Sequence, residues 1–333
     1  MRTRQIVLAS RPLGMPTGDN LRFEEKEIEV LKEGEVLLKS WFISVDPYMR
    51  GRMNESKSYA KPYQIDEPFR GSIVARVMES KSNLFSINDL VVGDLPWKTY
   101  ITTYAENLRK IDPGIAHPGY YLGILGMPGL TAYFGMKDIG KPGSGETVVV
   151  SGAAGAVGIV AGQIALISGC RVIGITGSDE KCEMLKSEFG FNEAINYKTE
   201  KNIRKALRAV CSDGIDIYFD NVGGEITMGA IDNLNFHSRI IVCGQISQYN
   251  NTRFSMVPDI LPRVLTRSIL IKGFIVRNYG DRYDEGYAWL TEKVTSGELK
   301  FKQTIVKGFD KLPETFLGLF SGINQGKLMI EAE

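Results

Sequence analysis

Cysteine and histidine are scarce in this chain of 333 residues, which holds four cysteines, Cys170, Cys182, Cys211 and Cys243, and two histidines, His117 and His237. No two cysteines stand close enough in sequence to form a zinc clip or a redox pair, so reduced thiols fit best. Charge of one sign is missing as well. Lys plus Arg number 40 against 39 for Asp plus Glu, which gives no global field for nucleic acid or an anionic membrane and leaves any anion site local. Long hydrophobic runs are absent. The segment Ile6-Val7-Leu8-Ala9 is too short for a signal peptide, and no stretch reaches the about 18 apolar residues of a membrane span. The expected compartment is the cytoplasm. No internal repeat, low-complexity tract or long linker is visible. What remains is ordinary globular composition, 43% hydrophobic and 24% charged, in a chain long enough for two domains with separate cores.

From Arg2 to about Leu125 the text is strand-like and broken by Pro and Gly, with alternation over Gly34 to Trp41 and Gly71 to Val77. This predicts an all-β, partly barrel-like domain. From Leu130 helical text alternates with buried strands at Thr147 to Ser151, Arg171 to Thr176, Ala194 to Tyr197, Ile215 to Asp220, Arg239 to Cys243 and Ser268 to Val276. Six such strands predict an α/β, doubly wound parallel sheet. The last thirty or so residues return to strand and helix text and are expected to pack on the first domain. The boundaries are 1–126, 127–300 and a returning 301–333.

The most informative segment is Glu146-Thr-Val-Val-Val-Ser-Gly-Ala-Ala-Gly-Ala-Val-Gly158. A buried strand runs into a small-residue turn and then a helix, the arrangement in which glycines let the backbone approach a diphosphate at a helix N-terminus. The implied ligand is a dinucleotide, although Gly152, Gly155 and Gly158 are spaced by three rather than in the usual Gly-x-Gly. An NAD site places a carboxylate at the tip of the second strand. Here that tip reads Thr176-Gly177-Ser178, and Asp179 and Glu180 follow as ordinary first-turn residues of a helix. Lys181 beside them suits a 2′-phosphate, with a solvated helix lysine as the competing reading.

The chain resembles the zinc-independent medium-chain reductases, in the branch of prostaglandin reductases (leukotriene B4 12-hydroxydehydrogenases), plant double-bond reductases and curcumin-reductase-like enzymes. The resemblance covers almost the whole chain. It rests on Ser44-Val-Asp-Pro-Tyr-Met-Arg50, Gly126-Met-Pro-Gly-Leu-Thr-Ala-Tyr-Phe-Gly135, Ala153-Ala-Gly-Ala-Val-Gly158, Gly177-Ser-Asp-Glu-Lys181, Asn196-Tyr-Lys-Thr199, Phe219-Asp-Asn-Val-Gly-Gly224 and Cys243-Gly-Gln-Ile-Ser-Gln-Tyr249. It implies a Rossmann-type NADP-binding domain inserted into a partly open GroES-like β-barrel domain, and NADPH-dependent reduction of the activated double bond of α,β-unsaturated ketones and aldehydes. The wider superfamily contains zinc enzymes, but the first domain has no cysteine and only His117, so neither a catalytic nor a four-cysteine zinc site can be assembled and no metal is expected.

For the cofactor the resemblance implies Pro128, Thr131, Gly155, Ala156, Val157 and Gly158. At the phosphorylated adenosine end it implies Lys181 and Tyr197, and Tyr197 has a packing aromatic as its alternative. Asn221, the segment Cys243, Gly244, Gln245, Ile246, Ser247 and Tyr249, the run Phe274, Ile275 and Val276, and Asn324 complete the set. Cys243 reads as a buried small residue rather than a nucleophile, since no histidine is paired with it in any motif. Reduction of an enone needs a hydride at the β-carbon, stabilisation of the enolate oxygen and a later proton, but no nucleophile. Tyr249 is the first candidate donor and Tyr48 the second, with pocket wall, ribose hydroxyl or water as alternatives. Arg50 and Arg52 read as surface cations or as attractors of an acidic substrate tail. A quinone reductase is the nearest rival, and a non-catalytic NADPH-binding protein is a rival of another class. The partners expected are a small-molecule substrate and a second copy of the chain, joined through the late strand, with no nucleic acid and no membrane.

Overall fold

The computed structural model describes residues 1–253 and 258–332. The chain folds as two compact units, Met1–Gly123 with Gln303–Glu333, and Ile124–Lys302.

The second unit is built on six parallel strands in the spatial order Glu193–Asn196, Arg171–Thr176, Thr147–Ser151, Ile215–Asp220, Leu234–Val242 and Leu270–Gly273. Helices cover both faces of such a sheet, which is why its central strands are unbroken apolar runs; every residue of Thr147–Ser151 is buried. The helices Ala156–Ile167, Asp179–Phe189, Ile203–Val210 and Gly224–Ile231 make the crossovers. The order sets the first strand in sequence, Thr147–Ser151, beside the fourth, Ile215–Asp220. From that pair the chain winds outward in both directions, and a crevice lies between their carboxyl ends, where doubly wound sheets bind ligands.

The third strand is shifted by one residue, to Glu193–Asn196, and two strands differ further from expectation. The fifth begins at Leu234 rather than Arg239, because an irregular stretch carrying His237 at φ 58° continues the pairing. The sixth spans only Leu270–Gly273 rather than Ser268 to Val276: Ser268 lies at φ 52°, and a short helical turn starts at Val276. All four residues of this edge strand are exposed.

The first unit carries a curled seven-stranded sheet, the partly open barrel. Its order is Gln303–Lys307, Lys327–Glu331, Glu35–Ser44, Arg70–Ser80, Leu90–Pro96 and Arg109–Lys110, with Tyr100–Tyr104 also paired to Glu35–Ser44. The hairpin of Arg2–Leu8 and Leu21–Glu27 bridges from Gln5, Val7 and Leu8 to Lys98, Pro68 and Ile65, which lie between that sheet's strands. Alternating side chains fill the interior, where the Phe69 and Trp97 rings stack at 5.1 Å and Phe316 meets both edge-on. Phe316 comes from the helix Leu312–Leu319. Burying each such ring contributes on the order of 1.5 to 3 kcal/mol.

Candidate active site

At the end of Thr147–Ser151 the backbone turns through Gly152 at φ 59°, a conformation that glycine adopts without strain. Helix Ala156–Ile167 follows from Gly155, and no side chain caps its start. A Cβ on Gly158 would stand 2.4 Å from the Gly152 carbonyl oxygen. Only a glycine there lets the helix lie so close to the turn, and the first helical N–H groups are left for an anion. Gly155, Ala156, Val157 and Gly158 therefore make a tight backbone turn into an uncapped helix start.

Across the crevice, Asp220 ends its strand fully buried. Its Oδ1 accepts from Ser151 Oγ at 3.0 Å, Tyr218 Oη at 3.0 Å, and the backbone N–H groups of Val222 at 3.0 Å and Gly223 at 2.9 Å. Its Oδ2 accepts from Thr227 Oγ1 at 2.7 Å and Gln245 Nε2 at 2.9 Å. Sequence reasoning read this aspartate only as a strand end. The signal available was an Asp followed by the turn residues Asn-Val-Gly-Gly, whose N–H groups a carboxylate collects.

Asn221 follows. It donates from Nδ2 to the Ser151 carbonyl at 2.7 Å, and its own N–H donates to Ser151 Oγ at 2.9 Å. The segment from Cys243 to Tyr249 is laid over this turn: Cys243 and Gly244 donate N–H bonds to the Asp220 carbonyl, and Ser247 donates to that of Val222. Burial pushes the Cys243 thiol up to about 12, with the Asp220 charge adding to the effect. The thiol is inert as a nucleophile near neutrality. Tyr249 is also raised above its ordinary value by burial. Its hydroxyl oxygen accepts from the Gln245 N–H at 3.4 Å, so the phenolic proton is available for donation elsewhere.

At the tip of the second strand, Ser178 caps helix Asp179–Phe189 by accepting from the Lys181 N–H at 3.2 Å. Asp179 accepts from Asn196 Nδ2 at 2.8 Å, which fixes it as a first-turn residue. Lys181 is half-buried, and its ammonium is shifted down by burial and then by the charge of Lys198. Tyr197 is 40% exposed, and a Cβ on Gly177 would stand 3.1 Å from its hydroxyl oxygen. The phenol thus lies over Gly177 at the strand tip. Lys198, which sequence reasoning passed over, adds a second cation whose repulsion from Lys181 a bound phosphate would relieve.

Pro128 is buried in the first turn of helix Met127–Phe134, and Thr131 donates its hydroxyl to the Met127 carbonyl at 2.7 Å. Phe274 is buried, close to where a Cβ on Gly135 would lie, with Ile275 and Val276 following the edge strand.

In the first unit, Tyr48 opens the short helix Tyr48–Arg52. Burial, then the charge of Asp46, raises its phenol well above the ordinary value. Asp46 is itself buried, accepting from Ser44 Oγ and from the ammonium of Lys327, which is 1% exposed. Asn324 lies in the turn before Lys327 and donates to the Gly326 carbonyl at 2.8 Å. The Lys327–Asp46 pair, invisible in sequence across that separation, brings the Asn324 turn to the segment that carries Tyr48. Arg50 is not a surface cation: it is 2% exposed and donates to Asn54 Oδ1 and the Gly14 carbonyl, each at 2.7 Å. Arg52 donates to the Lys61 carbonyl at 3.0 Å and lies over the Tyr63 ring. Both are committed to holding the helix.

Among the described residues no three or more His, Cys, Asp or Glu side chains converge as a metal would require, and no helix is long and apolar enough to cross a membrane.

Fold and site together define a nucleotide-dependent oxidoreductase. Two family models match, the N-terminal domain of oxidoreductase over residues 4–111 and zinc-binding dehydrogenase over residues 156–292. The chain belongs to the zinc-independent medium-chain dehydrogenase/reductase family. It is 51% identical to YfmJ of Bacillus subtilis (strain 168), provisionally named an NADP-dependent oxidoreductase, over 98% of this chain and 97% of that one. It is 40% identical to the NADPH-dependent curcumin reductase of Escherichia coli (strain K12), over 99% and 96%. Among solved structures, CurA from Vibrio vulnificus in complex with NADPH superposes with a TM-score of 0.94 at 41% identity, covering 99% of each chain.

Proposed function

We propose that this protein reduces the activated carbon-carbon double bond of α,β-unsaturated ketones and aldehydes with NADPH. The observation that carries the reading is the gathering, on one edge of the parallel sheet, of the Gly152–Gly158 cradle, the paired lysines Lys181 and Lys198, and a neutral Tyr249 whose proton is available. The similarity of the whole chain to a curcumin reductase supports it.

When bound, NADPH supplies the hydride. The chain's own residues bind and orient. Gly155 to Gly158 receive the diphosphate, while Lys181, Lys198 and Tyr197 take the 2′-phosphate as charge-assisted partners. Residues 243–249, 274–276, Asn221, Pro128 and Thr131 shape the rest of the cofactor site within the second unit. Tyr249 donates a hydrogen bond to the carbonyl oxygen on which negative charge develops, and a preorganised donor in a water-poor site is worth about 2.7 to 4 kcal/mol of barrier. In the first unit, Tyr48 is kept protonated by burial and is the other donor candidate. Residues 127–300 are in this reading the cofactor domain, and 1–126 with 301–333 the substrate domain. The assembly proposed is a cytoplasmic homodimer, in which the exposed strand Leu270–Gly273 pairs with its copy; Leu261 and Leu265 beside it are 68% and 80% exposed.

The test follows NADPH oxidation with an alkenal, an arylenone, a quinone and a saturated aldehyde. Turnover of the first two, with NADH much poorer, is expected. Faster turnover of the quinone would move the protein to the quinone reductases, and binding without oxidation would leave a cofactor-binding protein.

A further inference from the structure

Three backbone segments meet at the crevice of the second unit, the Gly152 turn, the turn Asn221–Gly224 and the segment Cys243–Tyr249. Each comes from a different strand end, and a dinucleotide needs all three in fixed register. Backbone bonds run between the second and third, from Cys243, Gly244, Ile246 and Ser247 to the carbonyls of residues 220–222. One side chain links all three. Asp220 reaches the Gly152 turn through Ser151, whose hydroxyl also accepts the Asn221 N–H. It collects the second turn through Val222 and Gly223, and takes hold of the third through Gln245.

A buried carboxylate with six donors is costly to desolvate and stable only while all of them are in place. Remove it and the donors are stranded; remove one donor and the carboxylate's hold on that segment is weakened, the backbone bonds remaining. Asp220 meets no solvent, so its effect on any ligand passes through the groups it holds.

We infer that Asp220 is the positioning residue of the cofactor edge, setting affinity for the diphosphate and nicotinamide end of the dinucleotide and not for its phosphorylated adenosine end. This rests on the NADPH reading above. The adenosine phosphate end belongs to Lys181, Lys198 and Tyr197, at the tips of the strands Arg171–Thr176 and Glu193–Asn196. Asp220 lies on the other side of the glycine turn, two strands from Arg171–Thr176 and so about 10 Å away in the hydrogen-bonding direction. None of its six hydrogen bonds goes to the adenosine side.

The experiment compares two ligands on the full chain by calorimetric titration, NADP⁺ and adenosine 2′,5′-bisphosphate, the latter carrying only the adenosine end. Unliganded thermal unfolding is recorded alongside. Asp220→Ala is expected to weaken NADP⁺ about tenfold or more while leaving the bisphosphate within about twofold of wild type. Asp220→Asn retains an amide oxygen for the Oδ1 donors and restores part of the loss. Should Asp220→Ala not fold, Thr227→Val decides, since Thr227 is no cofactor contact in this reading and its hydroxyl holds Asp220 Oδ2; several-fold weaker NADP⁺ with the bisphosphate unchanged is expected. A general loss of stability would weaken both ligands alike. Equal weakening of both ligands, or unchanged NADP⁺ affinity in a folded variant, overturns the inference and leaves the NADPH reading standing. Failure of the wild type to bind either ligand overturns both.

Discussion

In the proposed reading Lys181 governs cofactor choice and Tyr249 the chemistry, and each role can be measured. Lys181→Ala removes a charged contact worth on the order of 1.5 to 3 kcal/mol, so the KM for NADPH is expected to rise at least tenfold while that for NADH stays nearly constant. Steady-state kinetics with both cofactors checks this, and equal changes would take Lys181 out of the phosphate site. Tyr249→Phe is expected to lower kcat by about a hundredfold with little change in cofactor KM. An unchanged rate over several enones would make the ring a wall. Burial raises the Tyr249 and Tyr48 phenols above their usual range, so both remain donors through neutrality and neither brings a falling limb to the pH–rate profile below about pH 10.

At the scale of the elements, the strands Thr147–Ser151, Arg171–Thr176 and Ile215–Asp220 were legible to the residue, because a strand covered on both faces writes itself as a continuous apolar run. The start of Leu234–Val242 was not, since Asn235, Phe236 and His237 alternate with no clear period and His237 takes a left-handed conformation. The site was legible wherever neighbours in sequence make it, as in the glycine turn and the Ser178 cap. It was illegible where the fold assembles it, as with the Asp220 donors or Lys327 under Asp46.

Element ends also carry the pH response. Glu146, just before Thr147–Ser151, takes the Arg239 guanidinium on both oxygens at 2.7 and 2.8 Å. That hydrogen bonding holds its carboxyl below the usual glutamate value. A pKa lowered on folding adds stability that is full above the unfolded value, about 4.3, and is lost as pH falls through the folded one. Glu146→Gln is thus expected to lower Tm at pH 7 by a few degrees, with the gap to wild type closing below about pH 4. Thermal scans across that range check the sign.

For the molecule as a whole, the buried Lys327–Asp46 pair holds together parts of the first unit drawn from the two ends of the chain. Lys327→Met strands a buried carboxylate and is expected to cost about 3 to 5 kcal/mol in urea unfolding, much of it regained when Asp46→Leu is added. The exposed edge strand makes the second prediction at this scale. Ile271→Lys sets a charge on an apolar edge and is expected to convert the proposed dimer to a monomer in light scattering.

The division of the chain also dictates an order of events. Residues 124–302 are continuous and leave the ribosome as one piece, so the nucleotide unit can close its sheet during synthesis. The first unit cannot. Its sheet waits for Gln303–Lys307 and Lys327–Glu331, and its aromatic interior waits for Phe316. The unit begun before residue 124 is finished only after residue 302, and a chain cut before Gln303 is expected to hold a closed nucleotide unit and an open barrel.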